Sequence, residues 1–333
     1  MSKTRAHRYW LGFDLGGSKM LAVLYDDSFK VIARCRKRTK AQEGAEAGLR
    51  RMIELIGETL AAGGIEPRAL SGIGVGCAGP LDLERGIVLE MPNLGWHKAP
   101  LKARLEAAFG CPAILVNDVD AGVYGEFTFG AAAGRRSVVG IFVGTGIGGG
   151  AVYQGEILRG RTGSCMEIGH LPIARNGPLC GCGRQGCLEA IAGRLAISAA
   201  AATAASRGEA PALLRLAGTD LSQIRSAALK ESIAAGDRVV ERIVRQAAAT
   251  IGWAAAGVVN LLRPDAIILG GGLVEDLPKL FVAEFDEALR RQVMPSFAAS
   301  LDVVTAALAG DATVKGAAAW ARQQVAKPVP ASG

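Results

Sequence analysis

The residues with the most chemistry per unit length lie between Gly163 and Glu189. Glu167-Ile168-Gly169-His170 is followed by Cys180-Gly181-Cys182-Gly183-Arg184-Gln185-Gly186-Cys187-Leu188-Glu189, which gathers one imidazole, three thiols and two carboxylates. A closed structural zinc site takes four nitrogen or sulfur ligands in a tetrahedron, and His170, Cys180, Cys182 and Cys187 supply that set. Glycines at 181, 183 and 186 let a short loop fold back so that the sulfurs converge. The competing reading is a redox or merely buried thiol group, since a Cys-x-Cys pair can oxidise. A closed zinc site does no chemistry of its own, but it fixes its neighbours. Glu167 and Glu189 thereby become candidates for orienting a hydroxyl-rich substrate, against the plainer reading of solvated surface charges.

Other candidates sit at the ends of predicted strands. Asp14-Leu15-Gly16-Gly17-Ser18-Lys19 separates the apolar runs Trp10–Phe13 and Met20–Tyr25, a strand, glycine turn, strand pattern. Backbone N–H groups in such a turn can cradle an anion, and Asp14 can hold a hydrated cation; a plain tight hairpin fits the same residues. The P-loop pattern is absent. A second unit of this kind is Ser137–Val143 followed by Gly144-Thr145-Gly146-Ile147-Gly148-Gly149-Gly150. It satisfies Gly-x-Gly-x-x-Gly, but Ala151–Leu158 reads as a returning strand rather than the helix a dinucleotide fold requires. The recurrence predicts two related domains, each opening on a glycine-turn hairpin and each offering backbone donors to phosphate across a cleft. The strand Pro112–Val116 delivers Asn117-Asp118-Val119-Asp120 at its carboxyl end, where an open α/β sheet collects ligands. An ordinary helix cap is the alternative there. Asp265–Leu269 runs into Gly270-Gly271-Gly272, where a purine or phosphate can approach bare backbone, or where a strand simply turns into a helix.

Stepping through the elements that must hold these groups, helical spacing covers Gly44–Ala62, Leu101–Phe109, Gly193–Ala205, Leu221–Ala235, the segment from Asp237 to Arg263-Pro264, and Thr313–Val325. Leu70–Cys77 reads as a buried strand ending in the turn Ala78-Gly79-Pro80. Strands alternating with helices predict an α/β fold with a largely parallel sheet. The small, basic link Gly130–Arg136 marks a domain boundary, giving residues 1–130 and 131–333.

With 333 residues, half of them hydrophobic, the chain has material for a large core and two domains. The net charge of +7 permits an anionic partner, but the excess gathers at Lys30, Arg34, Arg36, Lys37, Arg38 and Lys40, read here as a solvated edge or loop and not a nucleic-acid patch. Cys35, Cys77, Cys111 and Cys165 show no disulfide-like spacing, which suits a reducing cytoplasm. The polar, basic start through Trp10 lacks a signal-peptide pattern, and the apolar stretch Ala247–Leu262 is too short for a bilayer span. The tail from Lys327 to Gly333, with two prolines, is expected to fray.

Taken together, these motifs resemble the ROK family of sugar kinases and repressors, within the actin, sugar-kinase and Hsp70-like ATPase fold (ribonuclease H-like). Glu167-x-Gly169-His170 with Cys180-x-Cys182-Gly183-x-x-Gly186-Cys187-x-Glu189 is similar to the family's sugar and zinc signature. Asp14-x-Gly16-Gly17-x-Lys19 resembles its first phosphate motif, Gly144-Thr145-Gly146-x-Gly148-Gly149 its second, Gly270-Gly271-Gly272 its adenosine motif, and Asn117-Asp118 its sugar-binding Asn and catalytic Asp. The resemblance implies ATP and magnesium in an interdomain cleft, with Asp14, Gly16, Gly17, Ser18 and Lys19 on the phosphates. It further implies a hexose held by Asn117, Asp118, Glu167, His170 and Glu189, with Asn93 beside it, a structural zinc in the loop 163–190, and a dimer or larger assembly. One departure stands out: Ser164-Cys165-Met166 precedes Glu167 where small residues are expected, so Met166 bears on the sugar pocket.

The expected reaction is phosphate transfer to a hexose hydroxyl, first of all glucose, in the cytoplasm. An alcohol is a poor nucleophile near neutral pH, and Asp118 is the candidate base that takes its proton. N-acetylhexosamine kinase and fructokinase are the near alternatives. A sugar-responsive repressor needs a helix-turn-helix ahead of the first hairpin, for which about ten residues leave no room. A non-catalytic sugar sensor conflicts with the presence of Asp14, Asp118 and both glycine turns.

Overall fold

A computed structural model describes residues 8–160 and 163–327. The polar leader before Arg8 and the tail beyond Lys327 lie outside the described residues. The chain divides into two compact units, the first drawn from 1–134, 157–165 and 310–333, the second from 135–156 and 166–309.

The first unit begins with the hairpin β1 (Tyr9–Leu15) and β2 (Lys19–Asp26), then β3 (Val31–Arg38), α1 (Gly44–Ala62) and β4 (Leu70–Cys77). A small sheet of β5 (Leu81–Asp82), β6 (Ile87–Met91) and β7 (Trp96–Ala99) follows, then α2 (Leu101–Phe109), β8 (Ala113–Asn117) and α3 (Asp118–Phe129). The main sheet has the order β3-β2-β1-β4-β8, with β1–β4 and β4–β8 parallel. Apolar runs without alternation, such as Trp10 through Phe13, are buried on both faces, as strands covered by helices must be. At the edge, β3 exposes Arg34, Arg36 and Arg38 on alternate positions. The basic cluster is thus a charged edge strand, a common guard against unwanted pairing. α1 buries Leu49, Met52, Leu55, Ile56 and Leu60 at helical spacing.

The second unit repeats this plan. Its strands are β9 (Val138–Val143), β10 (Ile147–Tyr153) and β11 (Glu156–Ile157), and its helices begin with α4 (Leu188–Ala192), α5 (Arg194–Ser206), α6 (Pro211–Ala217), α7 (Ser226–Ala234) and α8 (Arg238–Leu262). Then come β12 (Ala266–Gly270), α9 (Gly272–Asp276), α10 (Pro278–Arg290), α11 (Pro295–Ala298) and β13 (Asp302–Thr305). The sheet order β11-β10-β9-β12-β13, with an antiparallel β9–β10 hairpin and parallel β9–β12 and β12–β13 pairs, matches the first sheet strand for strand. The register matches as well: Asp14 lies opposite Leu21 and Gly76, and Phe142 opposite Gly148 and Gly270.

The last helix, α12 (Ala312–Ala326), belongs to the first unit. It lies at backbone distance from three elements. A Cβ added to Gly12 of β1 would stand 1.9 Å from the Val314 carbonyl oxygen, one on Gly74 of β4 1.9 Å from that of Ala317, and one on Gly125 of α3 2.4 Å from that of Ala312. Such contact leaves no room for a methyl group, and enlarging any of these glycines forces the helix off its seat at a typical cost of about 1–3 kcal/mol.

Two expectations need correction. The helix read over Leu221–Ala235 starts at Ser226, because the Asp220 carboxylate accepts the Ser222 N–H at 2.8 Å and closes a turn ahead of it. The sheets are mixed and not largely parallel, because each opens on an antiparallel hairpin closed by a glycine turn. Among the described residues one stretch, Leu188–Ser206, has the length and hydropathy of a membrane span; extended Gly193 (ψ 161°) breaks it into two helices, and half of its apolar window is buried. All seven cysteines are free thiols.

Candidate functional site

Strand ends of the first unit carry the carboxylates. Asp14 occupies the penultimate position of β1, where burial, helped by the Asp118 charge and opposed by Arg36, pushes its carboxyl up to about 6. The turn after it is braced from behind: the Gly16 N–H donates to Lys19 O (3.1 Å), the Thr39 hydroxyl donates to Gly16 O (2.7 Å) and the Thr39 N–H to Ser18 O (2.9 Å). Gly17, Ser18 and Lys19 face solvent. Asn93, exposed on a 3-10 turn (Pro92–Leu94), stands with its Cβ 3.8 Å from where Gly17 would carry one.

Asn117 ends β8 and caps α3, its Oδ1 accepting from the Val119 N–H at 2.9 Å and the Asp120 N–H at 3.2 Å. The cap reading is therefore correct for the amide oxygen, and it does not exclude a ligand, because the cap uses no amide hydrogen of Asn117. Asp118 is the first residue of α3; its Oδ1 accepts from Val119 N–H (3.0 Å) and its carbonyl from the Thr313 hydroxyl (3.1 Å) of α12. Burial raises its carboxyl above the ordinary range, against the lowering effect of the Val119 amide. Beneath both acids lies Cys77, fully buried, its thiol driven far above normal by burial and by Asp118 and Asp14, so it stays neutral. Asp120, also buried, accepts from the Ser164 hydroxyl at 2.7 Å.

In the second unit, His170, Cys180, Cys182 and Cys187 bring their ligand atoms within 4.8 Å of one another. Cys182 Sγ lies 3.7 Å from Cys187 Sγ, and Cys180 Sγ 3.7 Å from His170 Nδ1. Zinc–sulfur bonds near 2.3 Å in a tetrahedron place neighbouring sulfurs about 3.8 Å apart, so the donor set fits zinc. At this separation the sulfurs are not joined in a disulfide, which would need about 2.05 Å. The loop closes through Cys180 N–H to Arg184 O (2.7 Å) and Ile173 N–H to Gly186 O (2.9 Å). Gly186 has φ +75°, and a Cβ there would meet Ala174 O at 1.7 Å, so the position demands glycine. Glu167 is exposed just before the 3-10 turn (Ile168–His170). Met166 before it has φ +53°, a left-handed conformation unusual for a side chain with a Cβ, and its carbonyl accepts the Ile168 N–H at 2.6 Å.

Glu189 ties this loop to the second glycine turn. Its Oε1 lies 3.8 Å from Cys180 Sγ, and its Oε2 accepts the Ile147 N–H at 3.0 Å. A Cβ on Gly146 would stand 1.9 Å from that Oε2, so Gly146 is open for Glu189, while a Cβ on Gly144 would meet nothing within 4 Å. Within the turn, Thr145 accepts a hydrogen bond from the Arg194 guanidinium, a residue that sequence reading missed because the two lie 49 positions apart. Gly148 pairs with Phe142 inside the β-ladder. At the third turn, a Cβ on Gly270 would strike the Phe142 ring (2.5 Å) and one on Gly271 (φ +90°) the Val143 carbonyl (2.5 Å), and Gly272 opens α9. Gly270 and Gly271 are therefore required by the packing of β12 on β9 whatever else they touch.

A sequence profile of the ROK family matches residues 10–324. The chain is 34% identical over 316 residues to the glucokinase of Thermotoga maritima, covering 95% of this chain and 98% of that protein. Its structure is similar to that of a ROK family glucokinase from Streptomyces griseus in complex with glucose and AMPPNP, with TM-score 0.78 and 32% identity over 95% of this chain and 99% of that one. It is similar again to a ROK hexokinase from Thermus thermophilus, with TM-score 0.81 and 33% identity over 95% and 99% of the two chains.

Proposed function

This chain belongs to the ROK family, and from that premise we propose that it phosphorylates glucose at a hydroxyl group with Asp118 as general base. It is an ATP-dependent sugar kinase. Support for glucose comes from the relatives named glucokinase and the neighbour solved with glucose and AMPPNP. The observation that carries the mechanism is Asp118 itself. Held by Val119 N–H at the start of α3, with its carboxyl raised above the ordinary range by burial, Asp118 is suited to accept a hydroxyl proton.

In the reaction the sugar oxygen forms its bond to the γ-phosphorus as its proton passes to an Asp118 oxygen. The bond to the bridging oxygen breaks, and the electron pair leaves with ADP. Asn93, Asn117, Glu167, His170 and Glu189 are assigned to the sugar. Gly16, Gly17, Ser18, Lys19, Gly144, Thr145 and Gly146 are assigned to the phosphates, Gly148 to the shape of the second turn, and Gly270, Gly271 and Gly272 to the adenosine. Magnesium, held through Asp14, would neutralise phosphate charge; a desolvated carboxylate pushed up to about 6 suits a cation that restores its ionised form. Zinc on His170, Cys180, Cys182 and Cys187 would fix the loop that carries Glu167 and Glu189. We propose an N-terminal domain of residues 1–130 that carries the catalytic pair and a C-terminal domain from residue 131 that carries the metal loop, with the last helix returning to the first. We further propose a dimer or larger assembly, as the family membership suggests, checked by light scattering.

A coupled ADP-release assay with magnesium and ATP over glucose, N-acetylglucosamine, N-acetylmannosamine, mannose, fructose and allose tests the reading. Glucose is expected to turn over fastest. A faster N-acetylated sugar or fructose replaces the substrate, and silence on every sugar overturns the reading.

A further inference from the structure

The second glycine turn carries no ionisable side chain: Gly144 to Gly150 contains only glycine, threonine and isoleucine, whereas the first turn has Lys19. One cation is nonetheless fastened to it. Arg194 opens α5, and the backbone N–H groups of Arg194 and Leu195 donate to Gly144 O (3.3 Å) and Thr145 O (3.2 Å), which stitches the helix onset to the turn. The guanidinium then reaches back, Nη2 donating to Thr145 Oγ1 at 2.8 Å and Nη1 to Ile224 O at 3.5 Å.

Both anchors are neutral oxygens. Among the described residues no carboxylate forms an ion pair with Arg194. A guanidinium positioned by neutral acceptors keeps its attraction for an incoming anion, and its planar fork suits phosphate oxygens. The turn also has two unlike sides. At Gly146 the space of a side chain is filled by the Glu189 carboxylate; at Gly144 nothing stands within 4 Å of a Cβ position. Open space and an uncompensated cation therefore coincide at Gly144–Thr145.

We propose that Arg194 binds the nucleotide phosphates at Gly144–Thr145, supplying the positive charge that the second glycine turn lacks, with Thr145 as the residue that aims it. The inference rests on the kinase reading above and extends it to a residue outside every motif of the sequence.

The test uses full-length wild type, Arg194→Ala, Arg194→Lys and Thr145→Val, with calorimetric titration of ADP beside steady-state kinetics. Arg194→Ala is expected to weaken ADP binding tenfold or more and to raise the KM for ATP in step, the scale of one charge-assisted contact, while the KM for sugar moves less than twofold. Arg194→Lys recovers most of the loss, and Thr145→Val falls between. ADP affinity within twofold of wild type in Arg194→Ala, or sugar and ATP KM values rising together with a lowered Tm, overturns the proposal. If Arg194→Ala is insoluble, Thr145→Val decides by the same criteria. Wild type that binds no ADP and phosphorylates no sugar brings down the kinase reading itself, a failure distinguishable from an active wild type with indifferent Arg194 variants.

Discussion

The two five-stranded sheets have the same strand order and equivalent registers, yet the chemistry at their strand ends is opposite in kind. Where β1 places Asp14 beside its glycine turn, β9 places Phe142. Where β8 ends in Asn117 and hands over to Asp118, the equivalent β13 (Asp302–Thr305) ends in Thr305, without a carboxylate at its carboxyl end. The first sheet pays in desolvation to hold two acids. The second holds backbone amides, and its charge arrives from outside the sheet through Glu189 and Arg194. A scaffold used twice can thus specialise, with buried carboxylates built on one copy and a Cys/His loop added to the other.

The comparison breaks most sharply at Asp118. Asp118→Asn is expected to lower kcat at least about a hundredfold while sugar affinity stays within about tenfold, the range of general-base loss; unchanged kcat would remove the base from the first sheet. On the other side, Cys182→Ser should reduce bound zinc, measured by mass spectrometry of the metal, and lower Tm by about 4–8 °C, as a loss of ~2 kcal/mol would in a chain of this class. A stable, active, zinc-free variant would detach the metal loop from function. Gly146→Ala, whose Cβ would meet Glu189 Oε2 at 1.9 Å, should raise the KM for sugar about tenfold with zinc retained. If zinc leaves as well, Glu189 supports the loop and not the sugar.

The smallest effect is a pH signature. Burial lifts the folded Asp14 carboxyl from 3.8 to about 6, so the folded state holds this proton more tightly than the unfolded chain. The associated stability is fully present below pH 3.8 and lost as pH rises through about 6. Without magnesium, Asp14→Asn should therefore raise Tm by a few degrees at pH 7.5, on the order of 1 kcal/mol, and leave it unchanged near pH 4. A shift of equal size at both pH values would mean that burial of the charge is not its cause.

Much of this layout was legible because it rests on local pattern. Both glycine-turn hairpins follow from apolar runs flanking Gly16-Gly17 and Gly144-Thr145-Gly146, and the zinc-type cluster from ligand types crowded between His170 and Cys187. What stayed hidden depends on contacts between distant residues. That the Glu189 carboxylate fills the space beside Gly146, and the Phe142 ring the space beside Gly270, shows only once the distant partners are in place. Arg194 looks like any helix-opening residue until its guanidinium meets Thr145. Equally, no periodicity announces that Gly12, Gly74 and Gly125 are small because one later helix touches all of them.

That helix has a consequence for how the protein is made. β1 and β4 are among the early parts of the chain to leave the ribosome, but their seat against Val314 and Ala317 is completed only when α12 emerges. By then residues 166–309, nearly all of the second unit, have already been synthesised. The portion translated later is thus free to fold sooner, while the first-made sheet waits with an uncovered apolar face, and such long-range closure is the slow kind. A nascent chain stalled before residue 312 should therefore protect β9 and β12 from proteolysis and leave β1 and β4 open to it.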